Sequence, residues 1–117
     1  MAIPHLLSVG YDKSLMHSRA LVLRHAGFTV EEAFGLKSAL ALVNSDSIDL
    51  MILCHTLSRQ ERGLLISAVR KVRRMLPIVC IEAKDYDLSP QGCITAHNDP
   101  TELVNTVRSA VHVPRAA

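Results

Sequence analysis

Along this chain, short apolar runs alternate with longer stretches whose apolar residues recur at helical spacing. The run "HLLSV" at residues 5–9 predicts a first strand. Asp12 follows as an N-cap for a helix over about 13–26, whose stripe includes Leu15, Ala20, Leu21, Val22 and Leu23. Gly27 stands where a helix is expected to end. "FTVEEA" (28–33) predicts a second strand, and Glu31 and Glu32 mark it as an outer one. "LKSALALVN" (36–44) reads as a short helix stopped by the polar "NSDS". The run at 49–54, ending "LMILC", reads as a central strand buried on both faces.

Ser58 and Glu61 form an S-x-x-E capping box, which opens a helix over about 59–75. Pro77 starts the strand "PIVCIE", and "GCITA" (92–96) predicts a fifth strand. Asp99 and Pro100 then supply an N-cap and a first helical residue. The last helix carries Leu103, Val104, Val107, Ala110 and Val111 on one face, and only "HVPRAA" at the end reads as frayed. Strands alternating with helices predict an α/β domain: a doubly wound, five-stranded parallel sheet with helices on both faces.

Composition narrows this picture. The chain has 117 residues, enough for one domain with one core. Apolar residues make up 49% but aromatics only 3%, so that core is aliphatic. Three cysteines, Cys54, Cys80 and Cys93, show no CxxC and no metal-finger spacing, which fits reduced thiols in a cytoplasmic protein. No apolar run approaches the ~18 residues of a membrane span, and no leader is expected. A net charge of +2 is too small to imply nucleic acid by itself.

The stretches "HLLSVGYDKSLMHSRALVLRHAGFTVEEA", "IDLMILCHTLS", "PIVCIEA" and "GCITAHNDPTELVNTVRSAV" together resemble the receiver domain of bacterial two-component response regulators. The resemblance spans the whole chain and implies a flavodoxin-like sheet of strand order 2-1-3-4-5. It also implies a role in phosphorelay signal transduction. Receivers accept a phosphoryl group on an aspartate ending the third strand, and that position here is Cys54. Their two magnesium-holding acids fall on Gly10 and Tyr11, with only the next residue, Asp12, acidic. The hydroxyl residue ending the fourth strand is Glu82, and the lysine ending the fifth is Ala96, followed by His97 in place of a proline. Cys93 stands at the aromatic switch position. Between Ala83 and Gly92 only "KDYDLSPQ" remains, so the fourth helix of the family is expected to be shortened or missing.

Magnesium wants oxygen ligands, and phosphoryl transfer wants positive charge on the equatorial oxygens. Gly10, Tyr11, Cys54 and Ala96 offer neither, and Glu82 repels a phosphoryl group. The expectation is a degenerate, non-enzymatic receiver with no metal and no cofactor, acting by phosphorylation-independent contact. Its partner is then a signalling protein or a histidine kinase component, with a homodimer as a further option, and with no membrane or nucleic acid partner. The alternative is a redox, metal or small-molecule sensor at the carboxyl edge of the sheet, drawing on Cys54, His55, Glu82, His97 and Asp12. Zinc would take Cys54, His97 and either Glu82 or Asp12; a reactive thiol would take Cys54 activated by His55 or His97. A buried, inert Cys54 is preferred to both. Leu57 is expected to cover the mouth of the acceptor position. The cluster "RKVRRM" (Arg70, Lys71, Arg73, Arg74), with Arg59 and Arg62 on the same helix, reads as a solvated basic face rather than a nucleic-acid site.

Overall fold

A computed structural model of the chain describes residues 3–43, 47–82, 94–97 and 99–112, with the side chains of Thr95, His97 and His112 outside that set. The apolar runs become five strands: β1 (His5–Gly10), β2 (Thr29–Phe34), β3 (Leu50–Leu53), β4 (Ile78–Glu82) and β5 (Ile94–His97). The periodic stretches become helices α1 (Lys13–His25), α2 (Leu36–Val43), α3 (Arg59–Val72) and α4 (Pro100–His112). Every strand pairing is parallel, and the order is β2-β1-β3-β4-β5. β2, with its two glutamates, is an edge strand as its sequence predicts.

The sheet divides the core because successive strand residues point to opposite faces. Leu6, Leu50, Ile52 and Ile81 face α1 and α4, packing with Met16, Leu23 and Val107. Leu7, Val9, Met51, Leu53 and Ile78 face α2 and α3, packing with Val43, Leu65 and Val69. β1, β3 and β4 lie inside the sheet, so their runs are apolar without alternation. The register of β1 on β3 is held below the sheet by Asp49. Its carboxylate accepts from the His5 backbone N–H at 2.8 Å, and its own N–H donates to the His5 carbonyl at 2.8 Å.

All three expected N-caps form, with Asp99 accepting from the Thr101 N–H at 3.3 Å at the start of α4. Asp12 accepts from the Leu15 N–H at 3.0 Å, and Gly27, at φ +106°, turns the chain after α1. At α3, Ser58 Oγ accepts from the Glu61 N–H at 3.1 Å while Glu61 returns an acceptor to the Ser58 N–H at 3.0 Å. Several boundaries move by about a residue from the sequence reading, and two of the changes bear on the contacts around them. α3 stops at Val72 rather than near 75, where Arg73 leaves helical geometry at φ −138°. There Arg70 donates to the Leu76 carbonyl at 2.6 Å and Arg73 to that of Ile48 at 2.7 Å, so two cations read as a solvated face instead secure the turn into β4. β3 ends one residue before Cys54, although the Cys54 N–H still donates to the Val9 carbonyl at 2.9 Å. The expectation of a shortened fourth helix, and the places of Gly92, Cys93 and the final "HVPRAA" beyond His112, fall outside the described residues.

Ser58→Ala removes one of the paired bonds of the capping box. The expected loss is about 1 kcal/mol of stability, read as a lower midpoint in urea unfolding with an unchanged slope.

Candidate functional site

The carboxyl ends of β1, β3 and β4 bring three of the sequence-singled positions to one edge, but the pleat divides them. Gly10 and Cys54 lie on the side of α1 and α4. Cys54 is wholly buried there, with Ala96 in the same apolar cluster. A side chain at Gly10 has no room. A Cβ built there would lie 2.9 Å from Cys54 Cβ, 2.9 Å from Thr56 Oγ1 and 3.1 Å from Met16 Sδ. The place where a first acid would stand is therefore a packed wall made by α1 and the β3–α3 loop.

Glu82 lies on the opposite face, against α3. It is 1% exposed, and Arg62 Nη1 reaches its carboxylate at 3.3 Å, with the arginine side chain itself 8% exposed. The sequence reading put Glu82 among the candidate groups at the carboxyl edge and Arg62 on a solvated basic face; both are corrected by this buried ion pair. Arg62 falls in step with Leu65, Ile66 and Val69, the buried residues of α3. That helical phase is the signal that could have placed it inward.

A second buried arginine was not anticipated. Arg19 shares the inner stripe of α1 with Met16, Ala20 and Leu23. Its Nη2 lies 3.3 Å from His55 Nδ1, and since a guanidinium only donates, His55 accepts there. Ser8 Oγ sits 3.8 Å from the Cys54 sulfur. Burial pushes the Cys54 thiol above its ordinary 9.0; the charge of Arg19 and the hydrogen bond with Ser8 pull it back only in part. A thiol that is sealed and held protonated is a poor nucleophile and a poor metal ligand. Thus His55, the activating partner of Cys54 in the alternative reading, contacts Arg19.

Tyr11, at the second acid position, is exposed and turned away from Cys54. Its N–H donates to Thr56 Oγ1 at 3.1 Å and its hydroxyl donates to Glu61. That bond raises the phenol above its ordinary 10.0 and lowers Glu61 below its ordinary 4.5. Asp12 is exposed and committed to capping α1. Leu57 is buried among the residues facing α2 and α3, not over Cys54. His97 pairs with Glu82 in the β4–β5 register, and its side chain is outside the described set. Cys54 and Glu82 face opposite sides of the sheet, so they cannot ligate one ion. Among the described residues no three of His, Cys, Asp and Glu come together as a metal site. The residues present do not fit the magnesium that the receiver resemblance implies.

Two expectations test this geometry. Arg62→Leu strands a buried carboxylate and is expected to cost about 3–5 kcal/mol, whereas Arg62→Leu with Glu82→Leu recovers most of that loss in a double-mutant cycle. Cys54, with its pKa raised in the fold, favours the native state while thiols are protonated. Its contribution to stability is full below the unfolded-state value of about 9 and falls away as pH climbs past it. Iodoacetamide at neutral pH is accordingly expected to leave native Cys54 unmodified and to label it after urea unfolding, as peptide mass spectrometry would read.

Neither a family model nor a curated protein matches the sequence. Solved structures do. A putative response regulator from Chloroflexus aurantiacus J-10-fl aligns at a TM-score of 0.84 with 26% identity, covering 96% of this chain and 100% of that one. The chemotaxis response regulator CheY4 of Vibrio cholerae aligns at 0.79 with 20% identity over 93% and 99% of the two chains. A CheY-like receiver domain from Methanospirillum hungatei JF-1 aligns at 0.77 with 18% identity over 94% of each. The strand order, the parallel pairing and these neighbours lead to one conclusion: the chain has the flavodoxin-like fold of CheY-like response regulator receiver domains.

Proposed function

We propose that this chain is a receiver-type signalling module of the cytoplasm that binds a protein partner and neither accepts nor transfers a phosphoryl group. The observation that carries the reading is steric. At Gly10 there is less than a side chain's width between the backbone and Cys54, Thr56 and Met16. Losing carboxylates would remove metal affinity; filling their space removes the site. Glu82 supports the same reading, because its charge is spent on Arg62 beneath the sheet rather than offered at the edge.

The fold supports a place in two-component or phosphorelay signalling, since its structural neighbours are receiver domains, among them one from the hybrid histidine kinase CckA. Without a phosphoryl group there is no ligand to bias one conformation over another, so recognition rests on a surface that is present at all times. The loops at the carboxyl edge suit this. Glu61 accepts from both Ser58 and Tyr11, and Tyr11 is tied to Thr56, so the β1–α1 and β3–α3 loops are cross-linked by hydrogen bonds.

Incubation with acetyl phosphate and Mg²⁺ is expected to add no phosphoryl mass to the intact protein, and an added phosphoryl group would overturn the reading. Restoring acids by Gly10→Asp together with Cys54→Asp is also expected to give no phosphorylation. That double variant should lose about 1–3 kcal/mol or more, because the new side chain at 10 overpacks the wall.

A further inference from the structure

The largest exposed apolar side chains of the described residues include Leu64 (57%), Val72 (58%) and Met75 (55%), all on α3 or the turn that leaves it. Leu64, the half-buried Ala68 and Val72 follow one another at intervals of four, forming a ridge along the helix. This ridge is separate from the buried stripe of Arg62, Leu65, Ile66 and Val69 that faces the sheet. Solitary exposed leucines need no explanation, but an apolar ridge on one helix does.

Charge distinguishes the occupants. Lys71 is exposed beside Val72 on α3, and Arg74 is exposed in the turn just after it. The acid of α3, Glu61, already accepts from Ser58 and Tyr11. α2, the helix beside α3 on this face of the sheet, carries Lys37 and no acid. The face is therefore apolar along its middle and cationic towards the C-terminal end of α3. A second copy of this chain would bring to this face the same cations and, on its α3, no acid but the already engaged Glu61. A nucleic acid would engage the cations and leave the ridge uncovered, since phosphates gain nothing from Leu64 or Val72. A helix apolar on one face and acidic beside it satisfies both features at once.

Resting on the reading of the chain as a contact module, we propose that α3 is its docking face, and that the partner presents an acidic amphipathic helix along Leu64, Ala68 and Val72 with carboxylates at Lys71 and Arg74. The ridge supplies the buried centre of the contact, and the cations supply its orientation and the rate of encounter.

The test is titration of the full chain, followed by amide NMR, with four probes. These are a glutamate-rich helical peptide whose leucines recur every three or four positions, the same composition with its leucines scattered, a DNA duplex, and phosphatidylserine–phosphatidylcholine vesicles. The expected result is binding of the first peptide, with shifts centred on Leu64, Ala68, Lys71 and Val72. Leu64→Ser with Val72→Ser should weaken it about tenfold. Lys71→Glu with Arg74→Glu should weaken it similarly and abolish its salt dependence. These positions are solvent-exposed, and the spectrum of each variant reports directly that it is folded. No binding of the first peptide, equal binding of the scattered one, or tighter binding of DNA or vesicles would overturn the proposal. Any of these removes α3 as the docking face while the phosphodonor result stands on its own; phosphorylation without loss of peptide binding would do the reverse.

Discussion

The alternation of side chains across a parallel sheet is the constraint from which the rest of this molecule follows. Both faces of β1, β3 and β4 are covered by helices, so a residue at the end of a strand is handed to one helical layer or the other. A polar group placed there cannot stay in water. It must find a partner in the layer it faces, and in each layer an arginine from a helix provides one. Arg62 of α3 meets Glu82 on one side; Arg19 of α1 meets His55 and the surroundings of Cys54 on the other. A buried charge with its partner removed costs far more than an exposed one, which makes the two arginines part of the core in all but composition.

This arrangement explains what the sequence made legible and what it hid. The elements were readable because their signals are local: Asp12 and the Ser58–Glu61 box mark helix starts, and "LMILC" marks a doubly buried strand. The topology followed from the alternation of those elements. The edge was harder, because it depends on register. Cys54 and Glu82 each end a strand, and nothing near either residue in sequence says that Leu53 pairs with Cys80 and so sends the two side chains to opposite faces. Arg19 and Arg62 were missed for a different reason. Charged residues default to solvent, and only their phase within Met16–Ala20–Leu23 and Leu65–Ile66–Val69 reveals that they point inward.

On the function proposed above, the same reasoning separates two ways of losing phosphoryl chemistry. A receiver fold with alanines in place of its acids would keep an open edge that new carboxylates could refill. Here Met16, Thr56 and Cys54 crowd Gly10, and on this face a carboxylate at position 10 enters only if those side chains shift. On the other face, Glu82 ends the strand where the receiver resemblance calls for a hydroxyl residue, and its charge is matched by Arg62. Charge and volume therefore fail independently, on opposite sides of one sheet.

A closed edge also changes what the loops above it can do. In a switching domain the loops at the strand ends must rearrange when a ligand arrives, so they are held weakly. In this chain Glu61 serves α3 as a cap and Tyr11 as an acceptor, while Thr56 holds the backbone of Tyr11. Moving either loop breaks a helix cap as well as a loop contact. Such coupling suits a protein that presents one surface at all times, because a partner then meets a prearranged face and loses less entropy in ordering it. A hydrogen-bonded edge is thus compatible with the recognition proposed for a helix flank, in different parts of one sheet-centred fold, each set by the layer its side chains face.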